Sequence, residues 1–262
     1  MRGATYNCAV KSPLFVIGVL GAVGLLSSCN RLGGRKVRAV VRLEPAAAGA
    51  ASLVTDEMKT LEVIGRRLTA LGAGPLASTR LPGAPVRYEL TFRSSLLAES
   101  LKDPLSDHRL EFRMLFDDRE WPDESAARAD LGPVLPADTL LLPDAGLFTG
   151  TAHTYLVSTT VEFTGCDLKA VSVVQQEPAG RAVTLTLTES AGQAMQALSR
   201  ANLGRRLAIL YDNQVVMAAT IQNEMGAELQ ISSANTVEED ERLARNLNAG
   251  CTPLKPVLES VQ

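Results

Sequence analysis

Residues 183–198, VTLTLTESAGQAMQAL, decide the fold of the C-terminal half, because they carry a strand, a helix cap and a helix in one run. Val183, Leu185 and Leu187 alternate with threonines, which is the period-2 pattern of a strand with one buried face. Thr188 then offers a hydroxyl that accepts a hydrogen bond from an unpaired amide of the first helical turn. The run therefore predicts a strand followed directly by a helix. The apolar face of that helix comprises Ala191, Ala194, Met195 and Leu198.

The same unit continues with a predicted hairpin, a strand and a final helix. Residues 206–211 and 214–221 flank Asp212 and Asn213, and asparagine tolerates the positive φ that a tight turn requires. Residues 227–232 form a further candidate strand. The final helix has a capping box, an apolar face and a glycine stop, formed by Thr236 with Glu239, Leu243 with Leu247, and Gly250.

The preceding residues predict another α+β unit. A candidate strand covers 37–43, and a helix with a regular apolar face covers 55–71 before a glycine stop. Residues 86–92 alternate between apolar and polar side chains, and residues 110–114 repeat that pattern. A short helix is expected over 95–102. This order indicates a sheet with its helices on one face. The long helix has its apolar face at Met58, Leu61, Ile64, Leu68 and Leu71.

Residues 119–152 differ in character from both units. They combine acidic residues with prolines and glycines, which is typical of a linker or insertion. Trp121 is expected to pin this segment to the domain, and a contact with a partner is the alternative. The sequence thus divides into a first unit at 37–118, this linker or insertion, a second unit at 153–250 and a C-terminal tail at 251–262.

Residues 1–28 have the features of a bacterial lipoprotein signal peptide. Two positive charges accompany an uncharged apolar stretch of 13 residues at 14–26, and LSSC at 26–29 places small residues before a cysteine. The pattern predicts cleavage before Cys29, followed by acylation of its sulfur and of its new amino group, which gives a lasting membrane anchor. Residues 29–36 would then be a short tether in the periplasm.

Two alternatives to a lipid anchor are open. The uncharged stretch 12–30 just reaches the length of a membrane-spanning helix, although its apolar part is short and contains Pro13 and several glycines. Cleavage without lipid attachment is the other alternative. For a lipoprotein, asparagine rather than aspartate at Asn30 favours the outer membrane over the inner membrane.

Composition and motifs argue against several functions. Removal of residues 1–28 changes the net charge from −3 to −5, which gives no basic face for nucleic acid. The sequence has no nucleophile elbow, phosphate-binding glycine loop or zinc-protease histidine pair, and His108 and His153 lack a matched nucleophile. We therefore expect no catalytic residues, no cofactor and no metal. The acidic runs 117–118 and 238–241 are interpreted as a solvated loop and as favourable charge at a helix start.

Cys166 and Cys251 are the cysteines that remain if Cys8 leaves with the signal and Cys29 carries lipid. In an oxidising compartment they form either a disulfide or a pair of separate buried thiols, and the sequence leaves both open. A disulfide would close a loop of about 85 residues.

Several motifs occur in an order that is more specific than any one of them. In the second unit they are TGCDLK at 164–169, the strand at 183–187, Gly192, NLGRRLAIL at 202–210, the hairpin, and residues 243–250. In the first unit they are RRLTALG at 66–72, LPG at 81–83 and LEFR at 110–113, and residues 136–142 follow as a connecting stretch. Over residues 37–254 the chain resembles the first periplasmic domain of the SecD/SecDF protein-export accessory family, with its base and head subdomains.

The resemblance implies an α+β fold with a ferredoxin-like base subdomain and an α+β SecD-type head subdomain that contacts emerging polypeptide. The chain also departs from the family. No stretch after Cys29 is long and apolar enough to span a membrane, so coupling to a proton gradient is not expected from this chain alone. Residues 45–51 replace the glycine-rich signature of the family, and Ala219 or Thr220 replaces its proline after the hairpin.

These observations predict a lipid-anchored, non-enzymatic protein of the cell envelope that binds exported or unfolded polypeptide and assists translocation or envelope assembly. The alternative is a structural or adaptor lipoprotein that docks on one folded envelope partner, and a third hypothesis is a regulatory competitor of SecD at the translocon. The expected partners are exported polypeptides or an envelope protein, with translocon subunits as further candidates, and the membrane through Cys29. Nucleic acid is not an expected partner.

Overall fold

The computed structural model describes residues 34–45, 54–144, 152–176, 180–233 and 236–262. Residues 1–28 and Cys29 lie outside the described residues. The strands are β1 (Arg35–Pro45), β2 (Ala77–Leu81), β3 (Arg87–Ser94), β4 (Leu110–Trp121), β5 (Thr139–Pro143), β6 (Thr154–Ser158), β7 (Phe163–Thr164), β8 (Leu168–Gln176), β9 (Gly180–Leu187), β10 (Arg206–Tyr211), β11 (Gln214–Thr220), β12 (Glu228–Ser233) and β13 (Leu254–Val261). The helices are α1 (Val54–Ala70), α2 (Glu124–Leu131), α3 (Glu189–Ala201) and α4 (Val237–Asn248). Short 3-10 helices cover Glu99–Leu101 and Gly165–Asp167.

The base contains one antiparallel sheet of strand order β13-β1-β3-β2. Helix α1 follows β1, and α4 precedes β13, so the sheet and its flanking helices follow the chain order βαββαβ, although the apolar face of α4 packs in the head core. This order with this sheet is the ferredoxin-like arrangement, and the fold expected for the base is confirmed. The core between α1 and the sheet includes Val37, Ala39, Val41, Leu61, Ile64, Leu68, Leu90, Phe92 and Leu254.

The boundaries of the base differ from those expected from sequence. Residues 251–262 were expected to be a tail, but they contain β13, which pairs with β1 along most of its length. Residues 110–114 are a strand, as predicted, but this strand belongs to β4 and pairs with β10 of the head. Arg35 and Lys36, assigned to the tether, already belong to β1. Alternation reveals a strand and its buried face, but it does not reveal the partner strand.

The first sheet of the head is nearly closed on itself. Its strand order is β11-β10-β4-β6-β5, and an isolated bridge between Asp144 and Val215 brings its two outer strands together. Along β10, Ala208 and Leu210 face the inside of this curved sheet, whereas Leu207 and Ile209 face the main head core. The alternation of one strand therefore serves two cores. The inner core comprises Leu115, Tyr155, Val157, Ala208, Leu210 and Val215.

The second sheet of the head has the order β12-β9-β8, and its apolar face packs with α3 and α4 against the first sheet. The predicted strand and helix of residues 183–198 are confirmed as β9 and α3, and the Thr188 hydroxyl accepts a hydrogen bond from Ala191 N. The hairpin is confirmed, with positive φ at Asp212 and Asn213. The capping box of α4 is confirmed as well, because the Thr236 hydroxyl accepts from Glu239 N while the Glu239 carboxylate accepts from Thr236 N.

Residues 119–152 contain regular structure rather than only a linker. They include the end of β4, helix α2 and strand β5 of the head. Trp121 is buried beside Ala127 and Leu156, and its indole N–H donates to Asp130 Oδ2 over 3.1 Å. The tryptophan therefore pins this segment to the head, as predicted.

Candidate functional site

The base meets the head through polar contacts of α4 and the residues just after it with α1 and with the segment before β4. Arg66 Nε in α1 donates to the main-chain oxygen of Ala249 over 2.6 Å. Asn246, buried in α4, donates to Asp103 Oδ2 over 3.1 Å. Thr252, just after α4, donates its hydroxyl proton to Asp107 Oδ1 over 3.1 Å. These contacts fix α4 against the segment that leads from the base into β4.

His108 and Tyr211 form the centre of this junction. The Tyr211 hydroxyl lies 2.7 Å from His108 Nδ1, and their rings are stacked with centroids 5.8 Å apart. The other imidazole nitrogen lies 2.6 Å from the main-chain oxygen of Asp103. Burial raises the pKa of Tyr211 well above the ordinary value, and the charge of Asp212 adds to this effect. The phenol therefore stays protonated and serves as a structural contact rather than as an acid or base at neutral pH.

Arg67 is the most deeply buried charge at the junction, with 1% of its surface exposed. Its Nη1 donates to the main-chain oxygen of Ser106 over 2.8 Å, whereas Nε and Nη2 have no hydrogen-bond partner in the described part of the chain. Burial lowers the pKa of Arg67, and the carboxylates of Asp107, Asp103 and Asp212 oppose that shift in part. The nearby carboxylates thus compensate the buried guanidinium through longer-range attraction.

Cys166 and Cys251 are joined by a disulfide in the structure, with Cα atoms 5.0 Å apart. Cys166 lies in the 3-10 helix after β7, and Cys251 lies between α4 and β13. The disulfide therefore links the head to the start of the last base strand. It borders a cavity of about 380 Å³ that is also lined by Arg109, Glu111 and Arg113.

A second concave surface lies on the base, between α1 and the outer strand β2. We call it the α1–β2 groove, and its volume is about 650 Å³. Its lining includes Met58, Leu61, Gly65, Ala70, Leu76 and Ser78, with the ion pair of Glu62 and Arg66 on α1. Met58 exposes 55% of its surface there. The three- and four-residue spacing of α1 predicted an apolar face at Met58, but this side chain is largely exposed and lines the groove.

Strand β2 forms one wall of the groove and one edge of the base sheet. Among the described strands it pairs only with β3. Ser78 and Arg80 lie opposite the buried Leu90 and Tyr88, so their side chains point to the α1 side of the sheet. Arg80 Nε lies 3.3 Å from the buried carboxylate of Glu57 in α1, which ties β2 to the helix. The groove thus combines an apolar floor with an unpaired strand edge.

The other residues considered as sites have structural roles. Asp117 pairs with Arg119, and Asp240 is buried in a salt bridge with Arg181. Within the described ranges, no group of three or more His, Cys, Asp and Glu side chains is arranged to hold a metal ion. Of the helices in those ranges, none has the length and apolar character needed to cross a bilayer.

The geometry defines a two-subdomain α+β protein in which a head is inserted before the last strand of a ferredoxin-like base. Residues 141–254 match the family model described as SecDF, P1 head subdomain. The protein translocase subunit SecD of Elusimicrobium minutum is 28% identical over 211 residues, which cover 74% of this chain and 43% of that protein. SecD of Aquifex aeolicus is 28% identical over 206 residues, which cover 78% of this chain and 39% of that protein.

Two solved structures have the same fold. SecDF in a super-membrane-facing form matches with a TM-score of 0.64 and 22% identity, over 87% of this chain and 30% of that one. A structure of SecDF, described as a membrane component that enhances protein export, matches with a TM-score of 0.62 and 21% identity, over 86% of this chain and 99% of that one. The resemblance to the first periplasmic domain of SecD and SecDF is thus confirmed. The chain spans less than half the length of the two SecD relatives.

Proposed function

We propose that this protein binds extended segments of exported polypeptide in the α1–β2 groove and thereby assists protein export or envelope assembly without enzymatic activity. The observation that carries the proposal is the unpaired edge of β2 alongside an apolar groove of about 650 Å³. The similarity to SecDF, a component that enhances protein export, supports the same conclusion.

If the bound segment pairs with β2 as an additional strand, polypeptides of many different sequences can bind. Main-chain hydrogen bonds to an open edge are independent of side-chain identity, and alternate side chains of the bound segment would point into the groove. Its apolar residues, such as Met58 and Leu76, favour apolar side chains, which unfolded polypeptides expose. Methionine adapts its shape to different partners, so Met58 suits a site of low selectivity.

We also propose that Cys29 anchors the protein by lipid, that the described domain faces the periplasm, and that the outer membrane is favoured by Asn30. The lipobox-like LSSC sequence supports this assignment. Mass spectrometry of the protein from bacterial membranes tests it. Acyl groups on an N-terminal Cys29, lost in Cys29→Ser, are expected, and an intact, unmodified N terminus would contradict the anchor.

The polypeptide proposal is tested by fluorescence anisotropy with a reduced and carboxymethylated polypeptide that cannot fold. The full chain is expected to bind it. Met58→Glu is expected to weaken binding about tenfold, because the loss of one buried methionine contact corresponds to roughly that factor. Leu203→Glu is the matched control, since Leu203 in the head exposes 54% of its surface, against 55% for Met58.

Backbone pairing is tested separately with a short apolar peptide and its analogue N-methylated at alternate residues. The methylated peptide is expected to lose binding, because it cannot complete the hydrogen bonds of an added strand. Equal affinity of wild type and Met58→Glu would contradict binding in the groove. No affinity for any unfolded chain, together with recovery of one folded envelope protein, would support the adaptor hypothesis instead.

A further inference from the structure

The base sheet concentrates positive charge where its first strand begins. Lys36 of β1 lies directly opposite Arg93 of β3, and both side chains are exposed. They lie on the face of the sheet away from α1, because the next residue of β1, Val37, points the other way and is buried under the helix. Two like charges at directly opposed positions destabilise an antiparallel pair. This arrangement therefore lowers the stability of the isolated domain.

Nearby acidic groups do not neutralise this pair. In the part of the chain that the structure describes, no carboxylate lies within ion-pair distance of Arg35, Lys36 or Arg93. Arg93 Nη1 donates to the main-chain oxygen of Gly34 over 3.1 Å. Glu89, on the same face, is paired with Arg38. The local charge is thus positive in a chain whose net charge is −3.

The pair borders a small cavity, which gives the positive charge a defined place to receive a ligand. Lys36 and Arg93 line it together with Gly74, Pro75 and Thr91, and its volume is about 260 Å³. This is several times the roughly 30 Å³ that one water molecule occupies, so a phosphate group fits there. Guanidinium and ammonium groups are the usual ligands of phosphate oxygens.

The position of this cluster along the chain indicates a membrane as the source of the phosphate. Cys29 lies seven residues before Lys36, so the chain between them spans at most about 25 Å. Leu97, in the loop after β3, exposes 73% of its surface. An exposed leucine four residues after Arg93 in the chain suits the interface between lipid headgroups and acyl chains. This step rests on the proposed membrane attachment of the N-terminal segment.

We propose that Lys36 and Arg93 bind the phosphate groups of anionic phospholipids and hold this end of the base sheet against the bilayer surface. The opposed cations then gain the counter-charge that the protein itself does not supply. Docking would fix the orientation of the domain on the membrane, which attachment through the N-terminal lipid alone would leave variable.

Hydrogen exchange of the full chain, reconstituted into vesicles, tests this docking. Vesicles of phosphatidylcholine alone are compared with vesicles that contain phosphatidylglycerol. Anionic vesicles are expected to slow exchange of the amides around Lys36 and Arg93, and added salt is expected to reverse the effect. Each cation near an anionic surface strengthens attachment about fivefold, so Lys36→Glu with Arg93→Glu is expected to weaken docking by at least about 25-fold.

The matched control exchanges Lys169 and Arg205, two exposed cations of the head, for glutamate. This control changes the net charge equally and is expected to leave the protection unchanged. Equal protection in neutral and anionic vesicles would overturn the proposal. An equal loss of protection in the Lys36 and Arg93 variant and in the control variant would overturn it as well. Protection produced by inorganic phosphate without anionic lipid would also overturn it, because the site would then bind a free anion.

The attachment itself is measured separately by flotation with neutral vesicles. Failure to float would refute the proposed membrane attachment, and with it this docking. Binding of unfolded polypeptide is an independent measurement and does not depend on the lipid composition.

Discussion

The side-chain amide of Asn248 pairs with both main-chain groups of Val171. Asn248 Oδ1 accepts from Val171 N over 2.8 Å, and Asn248 Nδ2 donates to Val171 O over 2.6 Å. Val171 belongs to β8, the outer strand of the second head sheet, so an asparagine at the end of α4 occupies a position that another strand would otherwise take. The head therefore protects one of its edges.

Replacement of this asparagine is expected to weaken the head and open its edge. Asn248→Ala removes two hydrogen bonds and is expected to lower the free energy of unfolding by about 1 to 3 kcal/mol. Asn248→Asp keeps the acceptor for Val171 N but places a carboxylate near the oxygen of Val171. It is therefore expected to restore little of the stability that Asn248→Ala loses. Urea denaturation measures the stability, and hydrogen exchange at Val171 measures the opening. Unchanged exchange at Val171 in the alanine variant would contradict this role.

The disulfide is expected to stabilise the protein by restricting the unfolded chain. Cys166 and Cys251 are 85 residues apart, and the chain-entropy model gives about 4 to 5 kcal/mol for a loop of this length. Cys251→Ser is expected to lower the free energy of unfolding by nearly this amount. Wild type in reductant is expected to have the same stability as this variant. Denaturation with and without reductant measures both. A Cys251→Ser variant that reductant destabilises further would contradict the assignment of the effect to this bond.

Stability is expected to fall above about pH 10 because of buried tyrosines. Burial raises the pKa of Tyr211, and burial followed by the Glu57 hydrogen bond raises that of Tyr88. Above the ordinary phenol pKa the unfolded chain loses protons that the folded protein retains, so the free energy of unfolding decreases as pH rises. Tyr211→Phe is expected to reduce this decrease by about 1.4 kcal/mol per pH unit. Denaturation between pH 9 and pH 11 measures the slope, and identical slopes would contradict the expectation.

Two helical glycines are expected to respond in opposite ways to alanine. A Cβ at Gly192 in α3 would lie 2.7 Å from Ala227 Cβ, so Gly192→Ala is expected to cost about 1 to 3 kcal/mol by forcing the helix away. A Cβ at Gly65 in α1 would meet Leu76 Cδ2 at 3.7 Å, an ordinary contact. Gly65→Ala is expected to stabilise by up to about 1 kcal/mol through helix propensity. Thermal denaturation compares the stability of the two variants with that of the wild type. Stability changes of similar size and the same sign would contradict the packing argument.

Local signals in the sequence predicted the elements that depend on local chemistry. The cap of α3 at Thr188, the capping box of α4 and the Asp212-Asn213 turn each follow from residues adjacent in the chain. Partners distant in the chain were not predictable in the same way. Strand β13 was missed because Pro256 interrupts its pattern, and a proline is tolerated there since β13 lies at the edge of its sheet.

The candidate site was only partly predictable for the same reason. The helical repeat placed Met58 on the apolar side of α1, but only the structure shows that this side chain is exposed in the groove. Similarly, Lys36 and Arg93 are 57 positions apart in the sequence, and only the register of β1 and β3 places them opposite each other. Charge composition gave no indication of this basic cluster, because the chain as a whole is acidic.

The insertion of the head before β13 determines the order in which the protein is completed. Strand β1 begins at Arg35, but its second neighbour in the sheet is supplied by Leu254–Val261, after the whole head. A chain that is synthesised from its N terminus therefore carries one side of β1 open until Leu254–Val261 is made. The head can assemble during this interval, whereas the base cannot. A protein proposed to receive unfolded chains thus passes through a stage in which its own base exposes an edge of the same kind.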